Sequence, residues 1–179
     1  MALIEDLMPA WDVRKRYERL VRAPAGRTWA ALQRYDISRN SSATTKALLR
    51  LRGLRPEAGT GVGAFAGSRF SVVGETPGAE LVVAIAGKFW AIRESNALEP
   101  VEDAAQVSAY DAPGRAVAVW SFEVAPRNGR SVLATETRVR CTDDRARRIF
   151  KAYWTVIEPF SGMIRRDMLR TVAEMAEGS

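Results

Sequence analysis

The sequence predicts an α+β fold: an antiparallel sheet covered on one side by a long C-terminal helix. Three observations carry this expectation. Residues 70–141 fall into successive apolar or alternating runs separated by turn residues, the pattern of a strand-rich segment. Within that segment Asn128–Gly129 separates AVAVWSFEV (116–124) from SVLATETRVRC (131–141). Asn-Gly suits a two-residue hairpin turn because both central residues need positive φ. After Cys141 the period changes from two to 3.6. Phe150, Trp154, Ile157, Ser161, Ile164, Met168, Val172 and Met175 then share one stripe of a helix over 145–176.

The elements follow in order. DVRKRYERLVR (12–22) alternates, with Val13, Tyr17 and Val21 on one face, and reads as a first strand. Pro24 opens a helix with Trp29, Leu32 and Tyr35 along one side. A second helix is predicted over 42–52, ended by Gly53 and Pro56, and GTGVGAFAG (59–67) is a connection. FSVVGE (70–75) is a strand. ELVVAIAGKFWAIR (80–93) is so continuously apolar that either both its faces are covered or it bends at Gly87. AAQVSAYD (104–111) reads as a shorter strand, and the Asn-Gly hairpin completes five or six strands. Inside the last helix, Pro159 costs about 3 kcal/mol and Gly162 about 1. Tertiary structure must offset that loss.

Composition narrows the function classes. The 179 residues show no repeat, low-complexity tract or linker, and read as one domain over 1–179 with an N-terminal extension at 1–11. No apolar run is long enough to span a bilayer, and the acids of MALIEDLMPAWDV are unlike a signal peptide. A single cysteine, Cys141, allows no internal disulfide, so a cytoplasmic protein is expected. Histidine is absent, which removes the commonest general base, zinc ligand and nucleophile partner. No metal-ligand spacing or cofactor motif occurs; the G-x-G-x-x-A within 59–67 follows a helix and precedes a strand, the wrong setting for a phosphate cradle. Neither a metal nor a cofactor is expected. The net charge of +6 raises the prospect of an anionic partner, but the arginines scatter over every element and nucleic acid is disfavoured.

The hairpin register gives the candidate site. A two-residue turn at Asn128–Gly129 sets Trp120 opposite Thr137, Phe122 opposite Thr135 and Val124 opposite Leu133. This surface, continued by Val139, is the more apolar and is assigned to the interior. Ser121, Glu136, Val119 and Arg138 fall on the other surface, where Glu136 and Arg138 share a face at i, i+2 and can form a surface ion pair. A register shifted by one residue turns that pair inward, where with Tyr153 it could perform acid–base work. On that reading Glu136→Gln abolishes turnover and leaves the melting temperature nearly unchanged.

The run LATETRVRCTD (133–143), with ELVVAIAGKFW (80–90), the DAPG turn (111–114) and RRIFKAYWTVIEPFSGMIRRDML (147–169), resembles an uncharacterised bacterial branch of the helix-grip proteins. This START-like group, also termed SRPBCC, includes pollen-allergen-like proteins and polyketide cyclases. Ala84 stands where the branch would have glycine. The resemblance implies a curved antiparallel sheet wrapped around a kinked C-terminal helix, two short helices after the first strand, and a cavity between sheet and helix. Its implied partner is a hydrophobic or amphipathic small molecule such as a lipid, polyketide or aromatic metabolite. The lining expected is Trp90, Trp120, Phe122, Thr135, Thr137, Tyr153, Trp154, Ile157, Ser161 and Ile164. Two further readings stand beside this one: a cyclase or dehydratase using Glu136, Arg138 and Tyr153, and a basic surface docking on nucleic acid or anionic membrane. A homodimer is left open.

Overall fold

The computed structural model describes residues 2–36, 42–43, 45–46, 70–91 and 97–178. In chain order these form α1 (Leu3–Leu7), β1 (Val13–Val21), α2 (Ala25–Arg34), β2 (Ser71–Thr76), β3 (Glu80–Gly87), β4 (Leu98–Glu99), α3 (Ala104–Ala109), β5 (Ala116–Arg127), β6 (Arg130–Cys141) and α4 (Asp144–Glu177). Ala43, Thr45 and Lys46 are helical, the start of the helix expected over 42–52; its remainder and the 59–67 connection lie outside the described residues. The sheet is antiparallel and six-stranded, ordered β1-β6-β5-β3-β2 with β4 paired to β3. The curved sheet and long C-terminal helix are the expected helix-grip arrangement.

The hairpin fixes the register. Asn128 and Gly129 both have positive φ, 49° and 75°, and Trp120 faces Thr137, Phe122 faces Thr135 and Val124 faces Leu133. Odd-numbered residues of β6 therefore face α4 and even-numbered ones face away. The inner face packs Leu81, Val83, Phe122, Val124 and Leu133 against Ile164, Met168 and Val172 of α4 and against Leu32 and Tyr35 of α2. The outer face is also covered. Val82, Ala84, Ala86, Val117 and Val119 pack with Ile4, Leu7 and Met8 from α1 and Val107 from α3. All eight residues of β3 are consequently buried, and Ala84 sits in that outer cluster. β3 ends at Gly87, whose φ is +131°; a Cβ there would stand 2.0 Å from the Ala97 carbonyl oxygen.

One local expectation is corrected, and two short elements had not been foreseen. Residues 104–109 are helical, not extended: Asp103 is an N-cap accepting from the Gln106 N–H at 2.8 Å, and Val107 alone of α3 is buried. The N-terminal extension contains α1, and the two-residue β4 carried no periodic signal. α4 runs from Asp144 to Glu177 through Pro159, with Asp143 accepting from the Ala146 N–H at its start. Pro159 is exposed, as is Thr155, whose carbonyl it cannot bond.

The outer cover is held by charge. Glu80 accepts from the N–H groups of Leu3 (2.7 Å) and Ile4 (3.2 Å), at the N-terminal end of α1. Arg138 donates to the carbonyls of Met8 (2.9 Å) and Ile4 (3.5 Å), at its C-terminal end. A carboxylate and a guanidinium thus occupy the helix ends whose dipole favours them. Arg140 does the same for α3, donating to the carbonyls of Val107 (2.8 Å), Ser108 (3.2 Å) and Tyr110 (3.3 Å).

Candidate functional site

Two apolar clusters lie beneath α4. The one under its C-terminal half is sealed around Phe122, Leu133, Met168 and Val172. The other lies under its N-terminal half, where Phe150 is buried with Val139, Cys141 and Ala146. Phe150 is ringed by Phe89 at 6.1 Å, Trp90 at 6.1 Å, Tyr153 at 6.0 Å and Trp154 at 5.8 Å between centroids. These four partners are only half-buried, although they pack on an inward-facing residue. Between the clusters, α4 presents Ile157 and Ser161 on its inner stripe, again half-buried, and β6 presents Thr137.

The polar groups of this surface are few. Trp120 donates its indole N–H to Thr135 Oγ1, which donates to the Ser121 carbonyl at 2.9 Å. Thr137 Oγ1 is buried and, among the described residues, has no hydrogen-bond partner. Such a group costs about 1–3 kcal/mol unless something satisfies it. Arg165, placed off the inner stripe by helical spacing, is buried: its guanidinium lies 4.4 Å from the Trp120 ring centroid, and Nε donates to Ser161 Oγ at 3.3 Å. Its long stem lets the charge reach inward from the flank of the stripe.

The expected lining is therefore distributed as follows. Trp90, Tyr153, Trp154, Ile157 and Ser161 are half-buried, while Trp120 and Thr137, on the sheet face toward α4, are buried. Phe122 and Thr135 have no accessible surface and back that wall from within the packed cluster, as the buried Ile164 largely does.

Glu136 and Arg138 lie on the opposite face of the sheet from Tyr153, because they occupy even positions of β6. The three do not share a site. Nor are Glu136 and Arg138 a surface pair: both are buried. Glu136 Oε1 accepts from Arg14 Nε at 2.7 Å and from Arg138 Nε at 2.6 Å, and Oε2 accepts from Arg14 Nη2 at 3.0 Å. Burial opposes ionisation of Glu136, but the hydrogen bonds and charges of Arg14 and Arg138 outweigh it and hold the carboxyl below its ordinary range. An ionised carboxylate bonded to Arg14 and Arg138, with Arg16 Nη1 3.6 Å from Oε2, is poorly suited to proton transfer and well suited to anchoring.

Sequence reasoning also missed a cluster at the middle of α4. The Tyr17 hydroxyl donates to Glu158 Oε1 at 2.8 Å, Lys15 Nζ lies 3.0 Å from the same oxygen, and Arg166 stands over the Tyr17 ring at 4.9 Å. A Cβ on Gly162 would come within 2.6 Å of the Tyr17 hydroxyl. Gly162 is thus explained by the close approach of β1 and does not hold open space. The alternation of Val13, Tyr17 and Val21 pointed Tyr17 at the helix, but only coordinates put it against Gly162.

The chain matches no known protein family and no curated protein. Solved structures do resemble it in the course of the backbone. A conserved protein from Geobacillus kaustophilus has 9% identity and a TM-score of 0.47, covering 93% of this chain and 97% of its own. A protein from Chromobacterium violaceum has 13% identity and a TM-score of 0.42 over 92% and 96%. The ZhuI aromatase/cyclase from Streptomyces sp. R1128 has 14% identity and a TM-score of 0.32 over 92% and 93%. Similarity at this level assigns no activity to the chain. Among the described residues no helix is long and apolar enough to cross a membrane, and no group of three or more His, Cys, Asp or Glu could hold a metal.

Proposed function

We propose that this protein binds a hydrophobic or amphipathic small molecule between α4 and the inner face of the sheet. One observation carries the reading: Tyr153, Trp154, Ile157 and Ser161 along the inner stripe of α4, and Trp90 beside Phe150, stay half-buried, while Thr137 Oγ1 on the facing side of β6 is buried with no hydrogen-bond partner among the described residues. Aromatic and aliphatic walls with a few convergent polar groups are the usual makeup of a small-molecule site. A flat aromatic ligand would lie against Trp154 and Trp90, and a carbonyl or hydroxyl on it would satisfy Thr137. Arg165 on Trp120 stiffens the far wall and places positive charge beside the polar end of the ligand. An aromatic metabolite or polyketide suits these walls better than a simple alkyl chain, because ring stacking is available along the N-terminal half of α4.

Native mass spectrometry of the protein purified from its own host, followed by extraction of whatever small molecule it carries, tests this. A single adduct of defined mass, diminished in Thr137→Val, is expected. Only the polypeptide mass, in both proteins, would overturn the reading.

A further inference from the structure

One exposed flank of α4 carries a feature that ligand binding does not use. Ile149, Val156, Phe160 and Met163 are exposed, at 40%, 64%, 39% and 46%. Their spacings of seven, four and three residues place them on one stripe along the solvent side of the helix. Arg145, Arg148 and Arg166 are exposed beside it, within about 90° of the stripe on its outward edge. From Arg145 to Arg166 the helix contains one carboxylate, Glu158, and that group is held by Tyr17 and Lys15. The exposed face is therefore an apolar stripe flanked by charge of a single sign.

We propose that this face of α4 docks on the surface of an anionic lipid bilayer, with the stripe entering the headgroup boundary and the flanking cations meeting lipid phosphates. The occupant follows from the pairing of the two features. A second copy of the chain would bring Arg145, Arg148 and Arg166 against like charges. A nucleic acid would satisfy the cations but leave four apolar side chains in water. An anionic bilayer satisfies both at once, as for amphipathic helices that lie in the membrane plane. Contiguous exposed apolar side chains on a charged protein mark an interaction surface and are costly without one. The inference is independent of the ligand reading, since the stripe lies about 110° around the helix from the inner stripe and shares no residue with it.

The test is flotation of the intact protein with vesicles of phosphatidylcholine alone and of phosphatidylcholine mixed with phosphatidylglycerol. Binding to the mixed vesicles and little to the neutral ones is expected. Phe160→Asp and Arg148→Glu should each lower partitioning by about tenfold or more. Because both positions are exposed, the variants should melt with the parent. In Phe160→Trp, emission should shift to the blue on adding mixed vesicles, which reports entry of the stripe itself. Failure to float with mixed vesicles, or floating unaltered by Phe160→Asp, overturns the proposal. So would retention on duplex DNA in place of vesicles, or a protein dimer that Phe160→Asp dissolves.

Discussion

Replacing Glu136 by glutamine separates an anchoring role from a catalytic one. The substitution keeps volume, so no cavity confounds it. It removes the buried charge that compensates Arg138, which is 4% exposed and is left with the carbonyls of Met8 and Ile4 and the half-exposed Glu5 carboxylate at 4.0 Å. It also turns an amide N–H₂ toward guanidinium donors where a carboxylate oxygen had accepted from them. Losing one member of a buried ion pair costs about 3–5 kcal/mol. Arg14 is substantially exposed and adds little to that figure. For a chain of this length about 1 kcal/mol moves the melting temperature by roughly 2–4 °C, so a fall of about 6–20 °C is expected. Calorimetry measures it, and hydrogen exchange should show protection lost first in Leu3–Leu7, because a five-residue helix has no stability of its own. A melting temperature within about 2 °C of the parent would refute the reasoning. The same linkage has a pH signature. The folded carboxyl titrates below its unfolded counterpart, so its stabilisation is complete above the ordinary carboxylate range and is lost as pH falls below about 4. In Glu136→Gln the acid limb of the stability profile should flatten.

Other consequences concern single positions. Gly162→Ala should destabilise by about 1–2 kcal/mol in spite of better helix propensity, because Tyr17 must move and its bond to Glu158 is strained; in a Tyr17→Phe background the same change should become neutral or stabilising, as urea titrations would show. Gly87→Ala, with positive φ and a Cβ driven into the Ala97 carbonyl, should cost about 3 kcal/mol or more and lower soluble yield. The thiol of Cys141 is pushed up to about 12, by burial first and by the charge of Asp12 second. Iodoacetamide at neutral pH should therefore leave the native protein unlabelled and label it stoichiometrically in denaturant.

Much of the architecture was legible because local chemistry and long-range pairing agree. Asn128–Gly129 admits one turn geometry, and that turn propagates a register through twelve residues of β6. The terminal helix announced itself by period alone. What failed to show had no period. Six residues of α3 present one buried side chain, too few for a helical stripe, and their fold is set by the Asp103 cap and by Arg140 reaching from β6. α1 is held by Glu80 and Arg138 across more than 70 residues of sequence, a pairing no local pattern encodes. The same holds for the meaning of the TETRVRC run. Alternation placed Glu136, Arg138 and Arg140 on the outer face but could not show that a second layer covers it and turns a surface pair into a buried clamp. For the inner site the sequence supplied the aromatic wall and the threonines; it missed Arg165, whose Cα lies at the edge of the stripe while its charge lies over Trp120.

The account rests on an accessible site between sheet and helix, and a fluorescence titration with 1-anilinonaphthalene-8-sulfonate addresses it directly. The parent and Ser161→Ala, which loses the contact to Arg165 without adding bulk, should bind one probe per chain. Ser161→Phe, which fills the interval between the two clusters, should melt at a similar temperature and lose binding by about tenfold or more. Equal affinity in all three proteins, or no saturable binding to the parent, would contradict a ligand site beneath α4.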